Sequence, residues 1–312
     1  MTDEQRYSRA ELTAVLGVSP EQVDRLWNAF GFARRQTDAK IFSQHDLDAL
    51  RLFVVASRVI PDDEQVATAR AIGQSAARLA DWQADMLLDL DRNPAITWSI
   101  DDMARAMSTI QTMVWRRHLE AALERDVAQV DPTAAESQRL AGVRTTEVVG
   151  FADIVGFTSL SRRIDLPDLE VLLEAFENRV HAVITAHGGQ VVKTLGDAVL
   201  FTNTDVASAA STAVQIQEEV ADVDPVPPLR IGLAYGEILN RHGDVFGEPV
   251  NIASRLCGSA RPGTTLIDAA LAEAIGRDEG QGLRIRPIPT LSVRGYRRLK
   301  ASTLTQARPA RD

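Results

Sequence analysis

The pattern of apolar and polar positions divides the chain into two parts of different periodicity. Up to about residue 130, apolar residues recur at intervals of three and four, which is typical of amphipathic helices. One such stripe follows the predicted N-cap Ser19 and consists of Val23, Leu26, Trp27 and Phe30. From about residue 145, short apolar runs alternate with helical stretches, a pattern that predicts an α+β domain.

These patterns predict the organisation of the chain. The order of strands and helices in the second part favours a ferredoxin-like sheet with its helices on one face. A long helix at about 159–187, capped by Thr158, follows the first strand. We expect an all-α regulatory domain at 1–130, a linker at 131–144, the α+β domain at 145–302 and a flexible polar tail at 303–312.

Composition narrows the class of protein. The 312 residues carry a formal net charge of −9, which disfavours non-specific binding to nucleic acid or anionic membranes. Cys257 is the single cysteine, so an internal disulfide is excluded and a reducing compartment fits. The sequence has neither the apolar core of a signal peptide nor an apolar run of about 20 residues. We therefore expect a cytoplasmic protein without a membrane span.

The first part resembles the helix–turn–helix of MerR-like regulators. The resemblance rests on Gly-Val-Ser at 17–19, on Trp27 and on the Phe-Ser-x-x-Asp-Leu-x-x-Leu run at 42–50. Residues 1–140 nevertheless hold 16 basic and 22 acidic side chains, whereas a DNA-binding face needs a basic surplus. We expect no nucleic-acid partner, and a regulatory role in which a proton, a small molecule or a lipid is the signal.

Two acidic residues stand at strand ends in the second part. Asp153 closes an apolar strand just before Gly156, and Asp197 follows Gly196 in a tight turn. Carboxylates that meet across neighbouring strands can form a two-metal site for phosphoryl chemistry. Taken singly, each acid is equally compatible with an ordinary turn position.

Residues 145–300 resemble the catalytic domain of the class III nucleotidyl cyclases. The segments that carry the resemblance are FADIVGFTSL, VVKTLGDAVL and GDVFGEPVNIASRL, in that order. The resemblance implies that Asp153, Ile154 and Asp197 bind two Mg²⁺ or Mn²⁺ ions per active site. It also implies that the loop with Gly156, Phe157 and Thr158 cradles the phosphates.

The same resemblance implies roles for residues later in the chain. Lys193 and Asp244 match the pair that selects adenine, whereas guanylyl cyclases typically have Glu and Cys there. Asn251 and Arg255 match the residues that stabilise the transition state, and their spacing of four places them on one helix face. Arg294 stands where the family usually has a lysine that contacts the triphosphate.

The sequence therefore predicts an adenylyl cyclase that converts ATP to 3′,5′-cyclic AMP and pyrophosphate. The family implies a homodimer through the catalytic domain, because its active sites are shared between two such domains. Two alternatives stay open: a catalytically weak nucleotide-binding signalling or transcription regulator, and a guanylyl cyclase. A diguanylate cyclase is disfavoured because the sequence lacks a Gly-Gly-Asp-Glu-Phe segment.

Overall fold

The computed structural model describes residues 6–32, 39–129, 143–221, 226–276 and 282–307. The chain forms two compact units, Met1–Leu140 and Ala141–Asp312. Most of the predicted linker 131–144 lies outside the described residues. No helix in the described part of the chain is both long and apolar enough to cross a membrane.

The first unit is helical, as predicted. Three short helices begin at serine caps in which the serine and the third helical residue bond each other's backbone. The cap at Ser19 confirms the prediction, and two further caps stand at Ser8 and Ser43. In the described part of this unit the helices are α1 (Arg9–Leu16), α2 (Pro20–Ala29), α3 (Gln44–Ala56), α4 (Asp62–Asp91) and α5 (Ile100–Gln129).

The core of this unit lies among α1, α2 and α3, where Leu12 and Leu47 are almost fully buried. α4 approaches α2 closely, because a Cβ added at Gly73 would come within 2.3 Å of the Phe30 carbonyl oxygen. Farther along, α4 and α5 are only partly covered. Large apolar side chains remain exposed on these helices and in the segment that joins them, an arrangement typical of interaction surfaces; they include Trp82, Trp98, Trp115, Ile110, Met113 and Leu123.

The second unit is an eight-stranded mixed sheet with helices. The strands run in the order β2-β3-β1-β4-β6-β10-β7, β5 pairs with β4, and β8 and β9 form a separate ribbon. The strands are β1 (Val143–Ile154), β2 (Gln190–Leu195), β3 (Ala198–Asn203), β4 (Leu229–Arg241), β5 (Asp244–Phe246), β6 (Thr264–Asp268), β7 (Leu283–Pro287), β8 (Leu291–Val293), β9 (Tyr296–Leu299) and β10 (Ala301–Gln306). The helices are α6 (Phe157–Leu160), α7 (Leu166–Ala186), α8 (Val206–Ala221), α9 (Glu248–Ser259) and α10 (Ala269–Gly276).

Helices cover both faces of the sheet, so the predicted placement on one face is wrong. α7, α8 and α10 share a core with Val148 and Ala152 of β1. α9 packs on the opposite face, where Ala253 meets Val149. The alternation of side chains along β1 sends neighbouring residues into the two cores. The α+β class itself is confirmed.

Two further predictions are corrected by the structure. The long helix at 159–187 is two helices, because Asp165 caps α7 and Pro167 stands in its first turn. The flexible tail at 303–312 is wrong over Thr303–Gln306, which belong to β10. Leu304 is buried there, and β10 pairs with both β6 and β7. Leu304 is flanked by polar residues in the sequence, and this polar composition is also typical of a solvated tail.

Candidate active site

Asp153 and Asp197 lie together at one end of the sheet. Asp153 is the penultimate residue of β1 and pairs with Ala198, the first residue of β3. The turn between β2 and β3 holds Asp197, whose carbonyl oxygen accepts a hydrogen bond from the Ile154 amide at 3.0 Å. The structure thus brings the three residues predicted to bind metal into one place.

The Asp153 carboxylate has an uneven environment. Arg230 donates to its Oδ2 from Nη2 at 2.9 Å and from Nε at 3.2 Å. Its Oδ1 is buried and has no hydrogen-bond partner among the described residues. Burial raises the pKa of Asp153, and the nearby Asp197 carboxylate adds to that rise, while Arg230 opposes it. An unpaired buried carboxylate oxygen is costly unless a cation completes it.

Arg230 is the residue that the sequence reasoning missed. It is the second residue of β4 and stands directly opposite Asp153 in the antiparallel register. The available signal was a lone basic residue in an apolar strand, between Leu229 and Ile231. The register that places it beside Asp153 joins residues 77 positions apart and cannot be deduced from spacing.

The loop after β1 turns at Gly156, which adopts a left-handed conformation with φ of 73°. α6 then begins at Phe157, so Thr158 lies inside this four-residue helix and the prediction that it caps a long helix is wrong. The Val155 amide donates to the Pro228 carbonyl at 3.1 Å, which ties the loop to the chain entering β4. The predicted phosphate loop is therefore contiguous with Asp153.

Lys193 and Asp244 form a direct ion pair. The Lys193 Nζ donates to Asp244 Oδ2 at 2.5 Å, and the backbone amide of Val245 donates to Asp244 Oδ1 at 2.9 Å. Their side chains are 39% and 33% exposed, so both remain reachable from solvent. β2 supplies the lysine and the first residue of β5 supplies the acid. The structure joins two residues that the sequence predicted to act on one base.

Asn251 and Arg255 project from α9, one turn apart. Asn251 is exposed and donates to the Gly247 carbonyl at 3.4 Å, while Arg255 is half-buried. α9 lies directly on β4, because a Cβ added at Gly232 would come within 2.2 Å of the Cys257 amide nitrogen. The position of both polar side chains therefore depends on this close helix–strand contact.

Arg294 occupies the turn of the β8–β9 ribbon and is exposed. Gly295 follows it with φ of 88°, a conformation that favours glycine. Tyr296, the next residue, lies against α9: burial and the Glu248 carboxylate raise the pKa of its hydroxyl, whereas Arg255 lowers it. The ribbon that carries Arg294 thus borders the helix that carries Arg255.

The candidate residues fall into two groups. Asp153, Asp197 and the loop lie where β4 begins, whereas Asp244 pairs with Arg241, the last residue of β4. Within the described ranges, no hydrogen bond or ion pair joins the two groups. Asp153 and Asp244 therefore lie toward opposite ends of β4.

The residues present suit a hard divalent cation. Asp153 and Asp197 offer carboxylate oxygens, including the unpartnered Oδ1 of Asp153. No cluster of three or more potential metal-binding side chains occurs in the described part of the chain. Mg²⁺ is commonly held by one or two carboxylates, with water and substrate phosphates completing its coordination. The donor set fits a metal that enters with a nucleotide.

Cys257 takes no part in such chemistry. Its thiol is buried against the Arg230 carbonyl, and burial raises its pKa to about 12. The thiolate needed for a nucleophilic role is therefore inaccessible at neutral pH.

A strand-end carboxylate pair, a contiguous glycine turn and donors on a nearby helix define a phosphoryl-transfer type of site. Residues 144–304 match the family of adenylate and guanylate cyclase catalytic domains. The chain belongs to this family, as the sequence predicted. Members of the family bind a nucleotide and generally use Mg²⁺ or Mn²⁺.

Curated relatives extend the likeness beyond the catalytic domain. An adenylate cyclase of Streptomyces coelicolor is 38% identical over 285 residues, which cover 88% of this chain and 73% of the relative. One from Streptomyces griseus is 34% identical, with 88% and 69% covered. Among solved structures, the adenylyl cyclase CyaB from P. aeruginosa superposes with a TM-score of 0.48 at 23% identity, covering 55% of this chain and 98% of that chain.

Proposed function

We propose that this protein is an adenylyl cyclase that converts ATP to 3′,5′-cyclic AMP and pyrophosphate at a homodimer interface. The observation that carries the choice of ATP is the paired arrangement of Lys193 and Asp244 on β2 and β5. The adenylate cyclases of the two Streptomyces species are similar over most of the chain, which supports the same choice.

Base selection follows from donor and acceptor chemistry. Adenine offers an acceptor at N1 and a donor at its exocyclic amine, so Lys193 can donate to the first and Asp244 can accept from the second. Guanine reverses this pattern at the same edge, and its O6 would face the Asp244 carboxylate. Unpaired polar groups in a site reject the wrong ligand strongly. GTP is therefore the disfavoured substrate.

The first half of the proposed site, formed by the residues around Asp153, binds the triphosphate. Asp153, Asp197 and the Ile154 carbonyl would hold two Mg²⁺ or Mn²⁺ ions, which supply Lewis acidity for the ribose 3′-hydroxyl and offset the phosphate charge when bound. The turn at Gly156 brings the backbone of Phe157 and Thr158 close to the phosphates. Arg294, whose ribbon borders α9, would add a cation from the partner protomer together with the α9 residues. Together these residues fix the α-phosphorus for attack.

The second half of the proposed site, formed by residues on α9, acts on the reacting centre. In the reaction the ribose 3′-oxygen bonds to the α-phosphorus, pyrophosphate leaves and the hydroxyl proton passes to water. Arg255 can offer two parallel donors to the phosphate oxygens where charge accumulates, and Asn251 can orient the ribose. Removing one such preorganised donor typically costs about 10²–10³ in rate.

A homodimer would complete each site. One protomer would supply the Asp153 group, and its partner the Lys193, Asp244, Asn251 and Arg255 group. The absence of hydrogen bonds between these groups in one protomer, within the described residues, supports the division. Two-fold symmetry then gives two equivalent sites per dimer.

The helical unit is proposed to regulate the enzyme. A site completed between two protomers is sensitive to their relative position, and residues 1–140 are joined directly to that domain. The exposed tryptophans along α4 and α5 offer this unit an apolar contact surface. A proton, a lipid or a small molecule acting there could shift activity.

The test is cyclic nucleotide production by the purified full-length protein. With Mg²⁺ or Mn²⁺, ATP should yield cyclic AMP, GTP should yield little cyclic GMP, and Asp153→Ala should abolish both. Absence of product from a folded wild-type dimer would reject the proposal. A preference for GTP would establish a guanylyl cyclase instead.

A further inference from the structure

Arg230 supplies a counter-charge to Asp153 within the same protomer. Both hydrogen bonds from Arg230 end on Oδ2, while Oδ1 stays buried without a partner among the described residues. The carboxylate is thus divided between an oxygen held by a cation and an oxygen left for another ligand.

The backbone fixes this contact. Asp153 and Arg230 are directly opposed residues of the antiparallel strands β1 and β4. Their side chains are 20% and 32% exposed, so water only partly screens the pair. Hydrogen bonds from Nε and Nη2 also restrict the guanidinium to one orientation. Arg230 therefore remains beside Asp153 unless something displaces it.

A metal ion that binds Asp153 would be repelled by the positive charge of Arg230. A divalent ion bound at Oδ1 would lie within a few ångströms of the guanidinium, and two like charges at that range repel each other appreciably even at high effective permittivity. The ion must either push Arg230 aside or bind against its charge. In both cases part of the attraction of Asp153 for the ion is lost.

We propose that Arg230 acts as a place-holder cation that keeps Asp153 from binding divalent metal tightly until a nucleotide arrives. This inference rests on the proposed function, in which Asp153 is a metal ligand. A triphosphate brings several negative charges, which offset the repulsion between metal and guanidinium. The ion pair thereby makes metal binding depend on nucleotide binding. Arg230 is accordingly a positioning residue for the metal.

Direct binding of Mn²⁺ to the full-length protein tests the inference without turnover. Free Mn²⁺ is measured by electron paramagnetic resonance, with and without a non-cyclisable ATP analogue. The neutral variants Arg230→Met and Arg230→Gln should bind Mn²⁺ alone about tenfold more tightly than wild type, because a unit charge beside a divalent ion is removed. Arg230→Lys, which keeps the charge, should bind like wild type.

Arg179→Met is the matched control, because it breaks an exposed ion pair with Glu219 remote from β1. It should leave Mn²⁺ binding unchanged, and Asp153→Ala should remove the Arg230-sensitive part. Equal or weaker binding in both neutral variants overturns the inference, as does equal tightening in Arg230→Lys. Thermal melting verifies that each variant is folded.

A measurement on the wild type requires no variant. After correction for the Mn²⁺ that the analogue binds without protein, the analogue should tighten Mn²⁺ binding to the protein at least tenfold. Tight binding of Mn²⁺ alone, unaffected by the analogue, overturns the inference. Cyclic AMP formation is assayed separately. Tightening in the neutral variants with an inactive wild type would reject the proposed function while leaving the place-holder role intact.

Discussion

Lys193 and Asp244 neutralise each other across β2 and β5, with 2.5 Å between Nζ and Oδ2. A base that enters between them must replace this contact with hydrogen bonds of its own. Adenine can do so because it presents an acceptor and a donor in the matching order, whereas guanine cannot. The pair therefore selects the base by competition as well as by contact.

Exchanging this pair should change the nucleotide used. The double variant Lys193→Glu, Asp244→Cys introduces the guanylyl pattern. We expect ATP turnover to fall by about 10²-fold and GTP turnover to rise, since the acid at 193 can accept from the guanine N1 and N2 donors. Rates of cyclic AMP and cyclic GMP formation measure both. Retained preference for ATP in a folded variant would show that the base is read elsewhere.

Gly232 should be intolerant of any side chain. A Cβ there would lie 2.2 Å from the Cys257 nitrogen and 2.3 Å from the Ala253 oxygen, so α9 would have to move away from β4. Gly232→Ala should lower the free energy of unfolding by about 1–3 kcal/mol and reduce activity by displacing Arg255.

Gly258→Ala in α9 is the control, because a Cβ added there would meet no atom within 4 Å apart from its chain neighbours and the backbone of its own helix. It should be neutral or slightly stabilising, because alanine favours helix. Thermal and urea unfolding measure both variants. Equal effects of the two substitutions would contradict the proposed helix–strand contact.

Asp268 should make stability depend on pH. It is buried at the end of β6 and accepts hydrogen bonds from the Leu271 and Tyr235 amides. Burial raises its pKa above the ordinary value of 3.8, although these backbone hydrogen bonds oppose the rise. A raised pKa in the folded state means that its stabilising contribution is present at low pH. That contribution is lost as the pH rises through the folded pKa.

Asp268→Asn should therefore lack this loss of stability above about pH 4. Its melting temperature relative to wild type should increase from acidic to neutral pH. Parallel melting curves of wild type and Asp268→Asn across this range would show that Asp268 does not titrate as inferred.

Arg294 is predicted to contact the triphosphate in place of the usual lysine. Arg294→Ala should raise KM for ATP by about tenfold through loss of a charge-assisted hydrogen bond. Arg294→Lys should recover most of the affinity. Arg297→Ala, exposed on the same ribbon, should leave KM near the wild-type value. Equal KM values in Arg294→Ala and Arg297→Ala would remove Arg294 from the site.

The sequence predicted those features that depend on local order. The cap at Ser19 and the turn that holds Asp197 lie within a few residues of their determinants. Arg230 could not be found this way, because its contact with Asp153 depends on the register of two strands far apart in the chain. The close packing of α9 on β4 likewise depends on Gly232, and this contact joins residues that are distant in the sequence.

In the N-terminal unit, too, the sequence predicts local structure but not contacts between distant residues. Its helices follow from periodicity, and its similarity to a MerR-like helix–turn–helix remains a prediction. The domain boundaries at 130 and 144 also remain predictions. Periodicity does not identify the partner of the exposed Trp82 and Trp115, because an apolar helix face has the same spacing whatever covers it.

The shared site is the central claim, and mixing two inactive variants tests it most directly. Asp153→Ala and Arg255→Ala each damage a different half-site, so each homodimer should be inactive. A mixed dimer should contain one intact site, and the mixture should recover up to about a quarter of wild-type cyclic AMP formation if subunits exchange at random. A mixture that stays inactive, although both variants dimerise and exchange, would contradict a site built from two protomers.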